Sequence, residues 1–226
     1  GKTEEAHNYI DIAEKNAIRS NEAGLAYAKG LYYRYTSEPQ KALKELNRSR
    51  FDSFYGVESL ILMIQIYLNP HDEIIYSAKD KDAVYKTSPE NMKAADTLIK
   101  ELAMKEYDTT ILECYGMIHT QKKEYIQKAT KMLQDLVNSN TEYIPALLWL
   151  AICKFMSKKQ SDAKSLLEKI DSINYLPEFS EEFETAWLLL ADYYIANSKT
   201  DSAEQLLAKC LQLNKSLVKA EELMGV

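Results

Sequence analysis

Glycine and proline are scarce in this 226-residue chain, with six and five copies respectively. Many-stranded β folds need both at their turns, so such folds are disfavoured. No run of about 18 apolar residues occurs, and no membrane-spanning helix is predicted. Basic clusters are missing too. The 28 Lys and Arg are interspersed among 34 Asp and Glu, for a net charge of −6. The footprint of a nucleic-acid-binding surface is therefore absent. The three cysteines, Cys114, Cys153 and Cys210, lie far apart, each inside an apolar helical pattern. They read as small core residues in a reducing compartment rather than as a disulfide framework. His7, His71 and His119 are isolated, and no HExxH or CxxC spacing marks a metal site. No P-loop, GxGxxG or GxSxG motif is present. The acid pairs Glu4-Glu5, Glu181-Glu182 and Glu221-Glu222 fall at helix starts or on polar faces, where solvated charge accounts for them. The sequence thus predicts no enzyme, no cofactor and no metal.

What the chain has is helix formers and a period. It is 46% hydrophobic, rich in Leu, Ala, Lys and Glu. The stretch AWLLLADYYIANSKTDSAEQLLAKC, residues 186–210, joins two amphipathic runs through a polar turn. Its second run carries a small residue, an apolar one four later, and a small or apolar one three after that. The pattern recurs at Ala6-Ile10-Ala13, Ala42-Leu46-Ser49, Ala95-Ile99-Leu102, Ala129-Leu133-Leu136, Ala163-Leu167-Ile170 and Ala203-Leu207-Cys210. The alanines are separated by steps of 36, 53, 34, 34 and 40 residues. Tetratricopeptide repeats have a period of 34. The longer steps then hold loop-sized insertions of 2, 19 and 6 residues.

First helices fit the same register. The tetratricopeptide pattern places large residues at positions 4, 7 and 11 and a small one at 8. These become Trp187, Leu190, Tyr194 and Ala191 in the last complete repeat. Around residue 26 they are Ala26, Lys29, Tyr33 and Gly30, and around residue 147 they are Leu147, Leu150, Lys154 and Ala151. In the repeat before Ala129, strict counting puts Met117 at position 8. A one-residue longer turn puts Gly116 there, and that register is preferred. Ser37, Ser161 and Ser180 supply helix-start signals.

The predicted fold is all-α: tetratricopeptide helix pairs stacked in a right-handed superhelical solenoid, as a fragment of a longer array. Residues 1–19 form the second helix of a preceding repeat. Repeats follow at 23–56, 57–106 (with a polar loop inserted at 69–90), 107–140, 141–176 and 180–217, and a truncated repeat begins at 218–226. No single repeat buries its apolar face alone, so neighbours must stack.

First-helix positions 2, 5, 9 and 12 line the inner groove of such a superhelix. They yield Gly24, Tyr27, Leu31 and Arg34, then Glu58, Ile61, Gln65 and Leu68, then Pro145, Leu148, Ile152 and Phe155, then Thr185, Leu188, Asp192 and Ile195. This set is unusually apolar. The expectation is an exposed groove that grips a helix or extended peptide. The alternative is that the superhelix or further repeats cover it. The lysines and asparagine that clamp a chaperone C-terminus in some tetratricopeptide domains are replaced here by Tyr27, Leu31 and Ala28.

Two blocks are more specific than a generic repeat. One is NEAGLAYAKGLYYRYTSEPQKALKELNRSRFDSFYG followed by IQIYLNP. The other is IPALLWLAICKF with EEFETAWLLLADYYIANSKTDSAEQLLAKCLQLNKS. The KGLY, Arg-x-Asp, LNP and EEFE-x-x-WLLLAD-x-Y elements in them resemble the tetratricopeptide repeat protein 21 family. Tyr67 stands where that family carries Cys. Residues 71–90 and 107–128 are least alike. The resemblance implies a long α-solenoid, the large tetratricopeptide subunit of intraflagellar transport complex A. It implies scaffolding in the cilium or flagellum and at the basal body, on the cytoplasmic side, for retrograde transport and receptor import. The implied partners are the WD40-plus-tetratricopeptide subunits of that complex and ciliary cargo adaptors. Nucleic acid and direct membrane insertion are not implied, and no catalytic residue comes with the family.

Overall fold

The computed structural model describes residues 3–16, 22–73, 76, 87–215 and 217–225. Among these every regular element is helical. In chain order they are α1 (Thr3–Asn16), α2 (Ala23–Tyr35), α3 (Pro39–Ser49), α4 (Gly56–Leu68), α5 (Pro89–Met104), α6 (Thr110–His119), α7 (Lys123–Ser139), α8 (Ile144–Met156), α9 (Gln160–Ser172), a 3-10 turn at Pro177–Phe179, α10 (Ser180–Ala196), α11 (Thr200–Leu213) and α12 (Val218–Met224). The chain falls into two compact units whose boundary cuts α6 after Gly116.

In the first unit α1 packs on α2, α2 on α3, α3 on α4 and α4 on α5. Small residues set how closely paired helices approach. Gly30 of α2 faces Leu46 of α3, where a Cβ would sit 2.6 Å from the leucine side chain. Ala26, Ala42 and Leu46 are buried around this crossing. Ser49 and Ser59, both fully buried, satisfy each other across α3 and α4 with an Oγ–Oγ distance of 2.7 Å. Arg50, just past α3, bonds Glu101 of α5 at 2.7 Å. Two residues on, Asp52 accepts from the N–H groups of Phe54 and Tyr55 at 2.8 and 3.0 Å and shapes the turn into α4.

In the second unit α7 packs on α8, α8 on α9, α9 on α10, and α10 on α8, α11 and α12. Ala151 with Ala163 and Leu167, and Ala191 with Ala203 and Leu207, repeat the small-and-large arrangement. Trp187 is buried among Phe183 and Tyr175, with ring centroids at 5.3 and 6.2 Å. The hydroxyl of Tyr194 on α10 donates to Glu168 of α9 at 2.7 Å. Burial and this carboxylate push the phenol up to about 12.

The turns between paired helices share one device. Ser37, Gln121, Lys158 and Ser198 all have φ between 56° and 60°, in the left-handed region. After α2, α8 and α10 the following N–H groups close back on the helix. Glu38 donates to the Tyr33 carbonyl, Lys159 to that of Lys154 and Lys199 to that of Tyr194, at 2.8 to 2.9 Å. These are Schellman closures with a non-glycine residue at the left-handed position. They correct the expected helix starts. Ser37 is the left-handed residue, Ser161 lies inside α9 and Ser180 is the first residue of α10, so none is the cap. The cap positions are Glu38, Lys159 and Phe179, without side-chain hydrogen bonds. A serine cap does form at Ser88, which accepts from the Asn91 N–H at 3.2 Å at the start of α5.

The repeat before Ala129 also differs from its expected register. Gly116 faces open space, with nothing within 4 Å of a built Cβ. Cys114 is the fully buried small residue instead. It lies seven residues before the left-handed Gln121, the spacing of Gly30, Ala151 and Ala191 from Ser37, Lys158 and Ser198. α7 starts two residues after its left-handed Gln121, as α3, α9 and α11 do after theirs, so Ile126 rather than Ala129 holds the place of Ala42, Ala163 and Ala203. Counting back from Ala129 therefore overshoots the small position of α6 and lands beyond Cys114.

The inserted loop has clasped ends. Asn69 accepts from the Glu73 N–H at 3.0 Å and donates to the Glu73 carbonyl at 2.9 Å. Thr87 donates to the Leu68 carbonyl at 2.5 Å. Apart from Tyr76, the expected loop lies outside the described residues between 74 and 86.

Candidate partner-binding surface

The expected groove residues fall into two classes. In the first unit, α2 presents Tyr27, Leu31 and Arg34 and α4 presents Ile61 and Gln65, all half-buried, while Leu68 is buried. Tyr27 stacks on Tyr55 with centroids 5.2 Å apart. Burial, and secondarily the Glu58 carboxylate, raise the Tyr27 phenol above its ordinary range, so it stays a neutral donor. The Arg34 guanidinium sits 5.7 Å from the Tyr35 ring centre. This face offers aromatic and aliphatic area with one cation at its end.

The second unit departs from the expectation of an exposed groove. Leu148, Ile152 and Phe155 of α8 are each 2% exposed, and Leu188 and Asp192 of α10 are buried as well. On α10, Thr185 and Ile195 remain half-buried. Part of the cover is a residue that sequence reasoning missed: the ring of Tyr76 lies on Phe155 with centroids 4.5 Å apart and planes 10° apart. Tyr193 of α10 approaches the same phenylalanine at 6.2 Å. The available signal was the triplet Ile74-Ile75-Tyr76, an apolar patch inside a polar insertion.

Reactive chemistry finds little to work with. Burial pushes the thiols of Cys153 and Cys210 up to about 11 and about 12, keeping them protonated. Burial also pulls the His119 imidazole down to about 4. Among the described residues no group of three His, Cys, Asp or Glu could hold a metal, and no helix is long and apolar enough to cross a membrane.

Residues 94–226 match the Tetratricopeptide repeat protein 21 C-terminal ARM domain, and residues 1–68 match the fifth ARM repeats domain of the same family. The chain belongs to the tetratricopeptide repeat protein 21 family. It is 36% identical over its whole length to Tetratricopeptide repeat protein 21B of Homo sapiens and 31% identical to Tetratricopeptide repeat protein 21A of Mus musculus. A Caenorhabditis elegans homolog is 28% identical. The chain spans 18% of the length of each of these relatives. Among solved structures it resembles a thermophilic tetratricopeptide protein of Thermus thermophilus. That likeness has a TM-score of 0.62 and 15% identity, over 90% of this chain and 97% of the other. It shows the helical-repeat fold alone.

The KGLY, Arg-x-Asp, LNP and Trp187 elements of the sequence sit at joints of the fold. Lys29 pairs with Glu14 across α1 and α2, and the neighbouring Gly30 admits Leu46. Arg50 and Asp52 organise the turn into α4, Asn69 clasps the insertion, and Trp187 bonds Asp171.

Proposed function

We propose that this chain is a segment of a non-enzymatic scaffold subunit of intraflagellar transport complex A, supporting retrograde ciliary transport and receptor import through protein–protein contacts. The observation that carries this reading is the family match, which reaches from one end of the chain to the other. The packing supports it: the KGLY, Arg-x-Asp, LNP and Trp187 elements hold helices together, and the Cys153 and Cys210 thiols are buried and kept protonated. In this reading the partners are the WD40-plus-tetratricopeptide subunits and cargo adaptors, met on the cytoplasmic side of the cilium and basal body.

The test is to tag the full-length parent protein in a ciliated cell, purify it gently and identify what accompanies it by mass spectrometry. Recovery of the other complex A subunits in similar amounts supports the scaffold. Recovery of one unrelated ligand and no ciliary transport protein overturns it.

A second reading is a free-standing adaptor that captures a short peptide. The half-buried row of Tyr27, Leu31, Arg34, Ile61 and Gln65 in the first unit favours it. An adaptor binds an isolated peptide, whereas a scaffold segment requires folded partners. Leu31→Glu with Ile61→Glu abolishes peptide capture in the adaptor reading while leaving helicity intact.

A further inference from the structure

Residues 50–55, the irregular stretch between α3 and α4 of the first unit, carry a hydroxyl that the fold does not use. Ser53 is exposed, and its side chain makes no hydrogen bond among the described residues. The flanking Phe51 and Phe54 are 75% and 77% exposed, although rings of this size are ordinarily enclosed. The turn is held by its neighbours instead. Asp52 accepts from Phe54 and Tyr55, and the Gly56 N–H donates to the Asp52 carbonyl at 3.1 Å.

Counted from Ser53, Arg50 stands at −3, Arg48 at −5 and Phe54 at +1. Arginine-directed Ser/Thr kinases read this arrangement: carboxylates in the kinase cleft pair with guanidinium groups upstream of the acceptor, and an apolar pocket takes the residue after it. Arg50, Ser53 and Phe54 already lie outside any helix, and Arg48 sits in the last turn of α3. That turn has to open for a kinase to engage an extended chain, and helix ends fray readily. Both arginines rest on carboxylates that a kinase can replace: Arg48 bonds Glu45, and Arg50 bonds Glu101, each at 2.7 Å. Partly exposed pairs of this kind contribute little, so exchanging one set of carboxylates for another is cheap. The turn also tolerates added negative charge. The Lys105 ammonium lies 3.4 Å from the Arg50 carbonyl and 3.5 Å from a Cβ built on Gly56, at the two ends of the turn, and forms no ion pair among the described residues. A phosphoserine brings about −1.5 to −2 charge.

We infer that Ser53 is a phosphorylation site for a Ser/Thr kinase that reads arginine at −3 and −5 and an aromatic residue at +1. In the reaction the Ser53 Oγ attacks the γ-phosphorus of ATP, the bond from that phosphorus to the β–γ bridging oxygen breaks, ADP leaves, and the hydroxyl proton passes to the base of the kinase. The inference goes beyond the scaffold reading and does not depend on it.

The experiment treats the folded 226-residue chain with the catalytic domain of an arginine-directed Ser/Thr kinase, Mg²⁺ and ATP. The reference substrate is the peptide Leu-Asn-Arg-Ser-Arg-Phe-Asp-Ser-Phe-Tyr-Gly, residues 46–56. Tandem mass spectrometry locates the phosphate, initial rates give kcat/KM, and circular dichroism checks the fold. The expected result is phosphate on Ser53 of the folded chain, abolished at that position in Ser53→Ala. Arg50→Ala is expected to lower kcat/KM about tenfold or more, because kinase carboxylates are left unpaired. Glu101→Gln, which releases Arg50 without removing it, leaves the rate unchanged or raises it. If Arg50 only held the turn closed, Arg50→Ala would speed the reaction, so an unchanged or faster rate in that variant overturns the inference. So does an unmodified Ser53 in the folded chain under conditions that phosphorylate the peptide to completion.

Discussion

The indole N–H of Trp187 on α10 donates to Asp171 of α9 at 2.8 Å, and Lys209 of α11 reaches the same carboxylate oxygen at 2.5 Å. One acceptor thus joins three successive helices at the edge of a buried aromatic cluster. Trp187→Ala removes the ring and the donor together and is expected to lower stability by about 3–5 kcal/mol. Trp187→Phe keeps much of the ring and leaves Asp171 its lysine, so its cost is smaller, about 1–3 kcal/mol. Urea unfolding of the two variants checks the order; equal losses would mean that the hydrogen bond, which both variants lack, outweighs ring volume.

Gly30 and Gly116 make opposite predictions for the same substitution. A Cβ at Gly30 meets the Leu46 side chain at 2.6 Å, so Gly30→Ala overpacks the α2–α3 crossing and costs about 1–3 kcal/mol. A Cβ at Gly116 meets nothing, and Gly116→Ala stabilises α6 by about 0.5–1 kcal/mol. Paired thermal melts measure both signs in one experiment.

Lys158 holds φ at 60° to close the turn between α8 and α9. A non-glycine residue in this conformation carries about 1–2 kcal/mol of steric cost. Glycine removes it and gives back part of the gain as unfolded-state entropy. Lys158→Gly is expected to raise stability by about 0.5–1 kcal/mol, and Lys158→Val to lower it. Chemical denaturation midpoints decide the matter.

His119 sets an acid limit. Its imidazole is pulled from 6.5 down to about 4 by burial. Between those values the unfolded chain binds the proton and the folded chain does not. Stability from this group is therefore complete above about 6.5 and lost as pH falls towards 4, by up to about 1.4 kcal/mol per pH unit. His119→Gln flattens that part of the profile. Urea midpoints of both proteins from neutral pH down to the folded-state value show the difference, whatever the carboxylates contribute to each.

The period was legible because close helix crossings demand small residues at fixed spacing. Ala42, Ala163 and Ala203 mark their helices in sequence as clearly as in space. The register around Gly116 was not legible, because Ile126 takes the crossing position of α7 while Ala129, three residues on, keeps the alanine step. The helix starts were misread for a different reason. Ser37 and Ser161 look like capping residues, but Ser37 takes the left-handed position that closes α2 and Ser161 lies one residue inside α9, so neither stands at the cap. Apolar composition suggested the groove, but composition does not say what covers it. Phe155 acquires its cover from Tyr76, a contact between positions that no local pattern connects.

The clasp formed by Asn69, Glu73, Leu68 and Thr87 holds α4 and α5 in register independently of what the chain does between its ends. Lengthening a loop already closed costs only about 0.6 kcal/mol per doubling. The junction can therefore accept a folded guest, such as a fluorescent reporter spliced in after residue 80, while the host helices stay paired. The same closure lets the stretch change in length and sequence without rebuilding the stack.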